Sequence, residues 1–501
     1  MRQEKPSDTM KTAAVIGSGV AGLAMAIRLA KQQFRVTVFE ANDTFGGKMT
    51  EFTLDGFRFD KGPSLFTMPH LVDELFHLAG RRAQDYFRYQ NLDIITHYFF
   101  ADGTNLKAYR DHAKFEKEVE KTLGVPKQKV KQFFKRSARL YQATSATFLH
   151  KSLHKFSTYC STDILKAMGS LTSLGLTQTM HQANQQCFQD PRFVQLLDRF
   201  ATYNGSDPYQ APATLNIIPH LEHNIGAFYP EGGIYSIAKS LHKLAGELGV
   251  KFRFREKVEE ITLAEDQKKV SGLRTAKATY NFDLVVSNMD VVPTYRKLLP
   301  TLQAPEKTLQ QPRSSSALIY YWGINRTFPE LHLHNIFFSQ DYKTEFEHIF
   351  RHKTISADPT VYVNITSKLT KTDAPANAEN WFVMVNVPHN EGQDWNELAQ
   401  QTRQHVIQKL SHRLKTDLSQ HIVCEKVWDP RGIEADTSSF GGALYGSSSN
   451  NALAAFLRHP NFKRRVKGLY FCGGSVHPGG GIPLCLLSAK IVSDLVQNDY
   501  R

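Results

Sequence analysis

Residues Gly17-Ser18-Gly19-Val20-Ala21-Gly22 carry the spacing G-x-G-x-x-G. In that spacing the first glycine makes a tight turn and the second lets backbone approach a pyrophosphate. The third lets a helix pack closely on a strand. Glu40 follows at the distance of a carboxylate that accepts both hydroxyls of a ribose, which counts against a 2′-phosphate and so against NADP. Two further glycine groups have the same character. Gly46-Gly47-Lys48 lies just beyond Glu40, and Gly473-Gly474-Ser475 leads into His477-Pro478-Gly479-Gly480-Gly481-Ile482-Pro483. Together these residues point to a bound dinucleotide; the alternative is a glycine turn with no ligand.

Such residues need elements to hold them. Thr12–Ile16 is a short apolar run and reads as a buried strand. Val20, Leu23, Ala24, Ile27 and Ala30 recur at helical spacing through Val20–Gln33, and Arg35–Glu40 is β-branched and aromatic. The sum is a strand–helix–strand unit. Its helix N-terminus offers free N–H groups and a positive dipole end to phosphate. Thr50–Leu54 and Phe57–Asp60 read as strands joined by Asp55–Gly56, a favoured hairpin turn. Leu71 to Asp198 reads as mainly helical. A helix bearing Ile237, Leu241 and Leu244 follows the loop Phe228–Gly233. Val250–Phe254, Val258–Leu263, Val270–Leu273 and Leu284–Val286 read as strands of a sheet. Leu318–Trp322, Val361–Ile365 and Phe382–Val387 read as further strands. Gly468–Ser475 reads as a strand entering a glycine turn, and Pro483 suits the first turn of a closing helix, Pro483–Val496.

Around these motifs the sequence resembles the large flavin family that includes amine oxidases, protoporphyrinogen oxidase and bacterial-type phytoene desaturases. The resemblance covers nearly the whole chain. It implies FAD, held non-covalently. It places the residues matching Gly46-Gly47-Lys48 along the pyrophosphate and ribityl chain, and those matching Gly62-Pro63-Ser64 near the flavin ring. Val258 matches the strand whose backbone meets adenine. Ala41, Leu65, Asn288, Gly473, Gly474, Ser475, Gly481, Ile482 and Pro483 complete the expected cofactor contacts. A helix N-terminus at Pro483 would stabilise the negative charge of reduced flavin. The ending HPGGGIP is similar to the terminal signature of carotenoid desaturases. Ala201-Thr202-Tyr203-Asn204-Gly205-Ser206-Asp207-Pro208-Tyr209 looks more like the 1-hydroxycarotenoid 3,4-desaturase group than the phytoene desaturases, and Ser316–Ile324 also looks like this group.

The fold class that follows is α/β, a Rossmann-like FAD-binding domain interleaved with an α+β substrate domain. Cofactor segments are expected at 1–90, 225–300 and 425–501. A helical part of the substrate domain is expected at 91–224 and its sheet part at 301–424. The expected activity is desaturation of an acyclic, 1-hydroxylated carotenoid. Hydride loss beside a polyene leaves a cation spread along the chain, so no strong protein base is required. His477 is the one candidate for a chemical role, and it reads equally well as a loop-fixing residue. A covalent flavin anchor at Cys472 or His477 is the minor alternative. Rival readings are a phytoene desaturase, a carotenoid isomerase, an amine oxidase-like enzyme, and a prenyl-binding escort without flavin.

The 501 residues exceed one ordinary core, and the formal net charge of +13 points to an anionic partner. Five cysteines (Cys160, Cys187, Cys424, Cys472, Cys485) with no Cys-x-x-Cys argue against disulfides and zinc, so no metal site is expected. Met1–Met10 lacks an apolar stretch, and no run is long enough to cross a bilayer. Lys121 to Thr162 holds nine Lys or Arg and no Asp or Glu, with Phe133, Phe134, Tyr141, Phe148, Phe156 and Tyr159 interleaved. Phe134, Tyr141 and Phe148 are seven apart and share one helix face. That reads as a basic aromatic helix touching an anionic membrane, against a solvated helix whose aromatics face the core. No helix-turn-helix, zinc finger or RNP pattern accompanies it, so nucleic acid is discounted. The expectation is a cytoplasmic, peripheral membrane protein with a hydrophobic polyene substrate.

Overall fold

The computed structural model describes residues 10–155, 177–451 and 458–500. Its first sheet is five-stranded and wholly parallel, in the order Leu469–Phe471, Leu284–Ser287, Thr12–Ile16, Arg35–Phe39, Lys251–Arg253. Parallel strands need cover on both faces, and alternate residues of Thr12–Ile16 find it. Ala13 and Val15 pack among the helices Val20–Lys31, Tyr235–Glu247 and Ile482–Asp499. Ala14 and Ile16 pack against a three-stranded antiparallel sheet, Val258–Leu263, Val270–Thr275 and Thr279–Asn281. The strands expected between 250 and 286 therefore divide between two sheets. Distant parts of the chain build the parallel sheet, so the expected interleaving is present.

The second sheet has seven strands, in the order Ile422–Trp428, Ser316–Ile324, Glu379–Val387, Val361–Asn364, His334–Phe337, Ile94–Phe99, Asn105–Tyr109. Side chains along a strand alternate between faces. Leu318, Tyr320, Trp322 and Ile324 share a core with Trp395, Val406 and Leu410 of the helix Trp395–Leu414. Ala317 and Ile319 point the other way, into a cavity. The strand Ile422–Trp428 runs across the domain border expected at 424/425.

Two expectations need adjustment. Helices prevail among the described residues of Leu71–Asp198, but Ile94–Phe99 and Asn105–Tyr109 interrupt them, pairing as a hairpin that extends the second sheet. The helix Lys127–Phe148 does form, but its aromatic side faces inward. Phe133 and Phe134 are 7% and 3% exposed within a core cluster, and Tyr141 lines the cavity. Lys127, Lys129, Lys131, Lys135, Arg136 and Arg139 take the exposed side. The side chain of Phe148, and residues Phe156, Tyr159 and Cys160, lie outside the described residues. Among the described residues no helix is long and apolar enough to cross a membrane, and no group of His, Cys, Asp and Glu could hold a metal ion.

Candidate cofactor and substrate cavity

A cavity of about 910 Å³ runs from the carboxyl ends of the parallel strands to the inner face of the seven-stranded sheet. Ile16, Phe39, Asn288 and Gly474 follow or end four of those strands, which is where open α/β sheets bind ligands. Of the residues expected at the cofactor, the lining includes Gly17, Gly19, Val20, Ala21, Glu40, Ala41, Gly46, Gly47, Lys48, Gly62, Pro63, Ser64, Leu65, Val258, Asn288, Gly474, Ser475, Gly481, Ile482 and Pro483. Ser18, Gly22 and Gly473 stand behind the lining and shape it.

The local geometry fits a dinucleotide. A Cβ on Gly22 would lie 2.1 Å from the Gly17 carbonyl oxygen, so only glycine closes this strand–helix contact. The helix Val20–Lys31 has no side-chain cap and no acidic residue in its first turn, leaving its positive end open to an anion. The Glu40 carboxylate is buried. Its Oε2 accepts from the Ser18 N–H at 2.9 Å and the Ser18 hydroxyl at 2.7 Å, and its Oε1 from the Asn42 N–H at 3.0 Å. A carboxylate accepts about four hydrogen bonds, so capacity remains for a ribose. Asn288 ties the site together, accepting from the Gly22 N–H at 3.1 Å and donating to the Cys472 carbonyl at 3.1 Å. Gly481 has φ of +97° and nothing within 4 Å of a built Cβ, and it opens the uncapped helix Ile482–Asp499.

Two cations add a positive field. Lys48 donates to the Leu444 carbonyl at 3.1 Å, and burial lowers its pKa. Arg458 donates to the carbonyls of Tyr445 and Gly474 at 2.7 and 3.3 Å and to Asn204 Oδ1 at 3.1 Å, and burial pushes it down to about 10. Lys48 was expected; Arg458 carries no motif in the sequence.

His477 is absent from the lining. Its ring is buried at 2% exposure, Nε2 lies 3.0 Å from the Lys151 carbonyl, and burial pushes its pKa down to about 4. Its own carbonyl accepts from Asn461 and Ser488 at 2.8 and 3.0 Å. That is the position of a loop-fixing residue, the second of the two readings of this histidine. Cys472 is also buried away from the cavity, whereas Cys485 lines it, with a thiol pushed up to about 11 by burial. The far end of the cavity is largely apolar, with Leu140, Leu149, Leu215, Ile217, Ile218 and Leu221. Sequence reading also missed Arg199 and His334, which line the cavity from distant parts of the chain.

Comparison with known proteins agrees with this geometry. The family described as flavin containing amine oxidoreductase matches residues 20–497. A 1-hydroxycarotenoid 3,4-desaturase from Flavobacterium sp. (strain P99-3) is 50% identical over 489 residues, covering 98% of this chain and 99% of its own. A 4,4'-diapolycopene oxygenase from Methylomonas sp is 35% identical over 502 residues, covering 97% and 98%. Among solved structures, wild-type putrescine oxidase superposes with a TM-score of 0.63 at 13% identity, covering 97% of this chain and 99% of its own. Cyclohexylamine oxidase from Brevibacterium oxydans IH-35A gives 0.61 at 14% identity, covering 98% and 99%. At such identities the structural likeness shows the fold alone.

Proposed function

Because this chain belongs to the family of flavin-containing amine oxidoreductases, we propose that it is an FAD-dependent carotenoid desaturase acting at the 3,4 position of an acyclic, 1-hydroxylated carotenoid. The observation that carries the reading is the 50% identity to a 1-hydroxycarotenoid 3,4-desaturase along nearly the full length of both chains. In this reading segments 1–90, 225–300 and 425–501 hold the cofactor, and 91–224 with 301–424 hold the substrate. Glu40 accepts the ribose hydroxyls, and the first turn at Val20 and Ala21 meets the pyrophosphate. Gly46, Gly47 and Lys48 follow the linker, Val258 borders adenine, and Gly62–Leu65, Gly474, Ser475 and Gly481–Pro483 border the ring. We take the holding as non-covalent; Cys472 and His477 are absent from the cavity lining, which supports that reading.

A bound flavin supplies the acceptor for the two electrons and the hydrogen that leave the substrate. The protein's own work is to orient the chain and exclude water. Leu215, Ile217, Ile218 and Leu221 give the polyene an apolar wall. No acid or base is assigned, because the cation left by hydride loss is delocalised and acidic at the neighbouring carbon, so its proton passes to solvent at the cavity mouth without a strong protein base. The exposed Lys and Arg side of the helix Lys127–Phe148 docks the enzyme on an anionic membrane, where its substrate is dissolved. The reading is tested by turnover of a 1-hydroxylated carotenoid in liposomes. A product lighter by one pair of hydrogens supports it; an unchanged mass, as an isomerase would give, contradicts it.

A further inference from the structure

One wall of the cavity is polar where a conjugated hydrocarbon has no use for polarity. Arg199 and Tyr203, on the short helix Arg199–Asn204, line it together with His334, Tyr342 and Tyr362. Glu222 sits behind them with no exposure. Arg199 donates through both terminal nitrogens to the Tyr203 hydroxyl oxygen, at 3.0 and 2.8 Å, and that hydroxyl donates to Glu222 Oε2. On the sheet side, His334 Nδ1 lies 2.7 Å from the Tyr362 hydroxyl, which donates to the Ser64 hydroxyl at 2.8 Å.

The cluster lacks partners. Arg199 Nε, Glu222 Oε1 and His334 Nε2 are each buried without a hydrogen bond. Buried polar groups are costly when unpaired and are usually paired in native proteins. Burial pushes His334 down to about 3, so its ring is neutral; with Nδ1 donating to Tyr362, the free Nε2 is an acceptor. An alcohol can donate its O–H to such a nitrogen and accept from an N–H such as Arg199 Nε. With Glu222 behind Arg199 and Tyr203, the wall is not a bare cation, which suits a neutral hydroxyl better than a carboxylate.

We propose that this wall is the subsite for the substrate's terminal hydroxyl, with Arg199 and His334 as its specificity-determining residues and Tyr203, whose hydroxyl is filled by Arg199 and Glu222, as the positioning residue that orients Arg199. The proposal rests on the 3,4-desaturase reading and adds the residues that select its substrate. A hydroxyl on C1 is only a few bonds from the C3–C4 bond, so its binding group must adjoin the cofactor. The bond from Tyr362 to Ser64 provides that continuity.

The test compares kcat/KM of the holoenzyme for a 1-hydroxylated carotenoid and for the same chain without the hydroxyl, both in liposomes. Wild type should prefer the hydroxylated chain by on the order of a hundredfold or more. In Tyr203→Phe and in His334→Asn that preference should fall at least about tenfold. A merely structural role lowers both rates alike, so an unchanged ratio in both variants overturns the proposal. Where a variant loses its flavin, the wild type with a 1-methoxy analogue decides. Blocking the O–H should lower kcat/KM at least about tenfold, and an undiminished value overturns the proposal. A wild type with no preference for the hydroxyl sinks the substrate reading itself, whatever the variants do.

Discussion

Ser18 meets one oxygen of Glu40 twice, through its backbone N–H at 2.9 Å and its hydroxyl at 2.7 Å. The glycine turn and the acidic residue of the nucleotide motif are thus one hydrogen-bonded unit. Ser18 fixes the Glu40 carboxylate on the cavity wall, the orientation that the proposed ribose contact needs. Glu40→Gln replaces acceptors by donors on part of that group. FAD affinity should fall by about 1.5–3 kcal/mol, the range for a hydrogen bond to a charged group, or roughly ten- to a hundredfold in Kd. Titration of apoenzyme by flavin fluorescence quenching measures this, and an unchanged Kd contradicts the assignment.

Arg58 joins the hairpin to both halves of the molecule. It pairs with Asp60 at 2.7 Å, Glu51 at 2.6 Å and Asp373 at 3.2 Å, while Asp60 also accepts from the N–H groups of Ile234 and Tyr235. Asp60 and Asp373 are buried, and burial raises the pKa of each. Arg58→Met leaves both carboxylates without their cation and should destabilise the holoenzyme by about 3–5 kcal/mol. Denaturant unfolding at neutral pH reads the loss; a change below about 1 kcal/mol would show that the cluster contributes little.

Buried imidazoles set a pH dependence. Burial holds His223 and His334 down at about 3 and His477 at about 4, against an ordinary value of 6.5. Below that value the unfolded chain binds protons that the folded chain refuses. The stabilising effect is complete above 6.5 and lost as pH falls toward 4. The clean measure is wild type against His477→Asn, which isolates one ring. The wild-type advantage should shrink by up to about 1.4 kcal/mol per pH unit below that point. A pH-independent gap contradicts the buried neutral ring.

The basic helix offers a separate test. Lys129, Lys131 and Lys135 are exposed, and Phe133 and Phe134 between them are buried. In the proposed membrane docking, this helix contributes electrostatically through its described residues, at about 1 kcal/mol per lysine near an anionic surface. Replacing all three by Gln should weaken binding to phosphatidylserine vesicles on the order of a hundredfold and leave binding to neutral vesicles unchanged. Equal sedimentation of wild type and variant with anionic vesicles would remove the helix from the docking surface.

Local chemistry was the readable part of the sequence. Gly17 to Gly22 and Glu40 are close in the chain, and their roles follow from sterics of the turn. Asp55 and Gly56 have φ of +48° and +83°, as their hairpin pairing of Leu54 with Phe57 requires. Ile94–Phe99 pairs locally with Asn105–Tyr109, but its place in the second sheet depends on His334–Phe337, which is remote in sequence. Aromatic spacing in Lys127–Phe148 defined a face but not its direction, since periodicity is the same for a core and a membrane. Arg199, Tyr203, Glu222 and His334 form a group only after folding. His477 stood in a suggestive motif, yet the carbonyl of Lys151 that occupies its ring nitrogen could not be inferred from it.

In the proposed function this cavity passes hydrogen from a hydroxylated polyene to flavin. Anaerobic mixing of the FAD-loaded enzyme with a 1-hydroxylated carotenoid in liposomes tests it most directly, with phytoene and a simple amine in parallel runs. The flavin band should bleach with the hydroxylated carotenoid alone. Bleaching by phytoene instead would contradict the 3,4-desaturase assignment, and bleaching by the amine alone would contradict the carotenoid reading altogether.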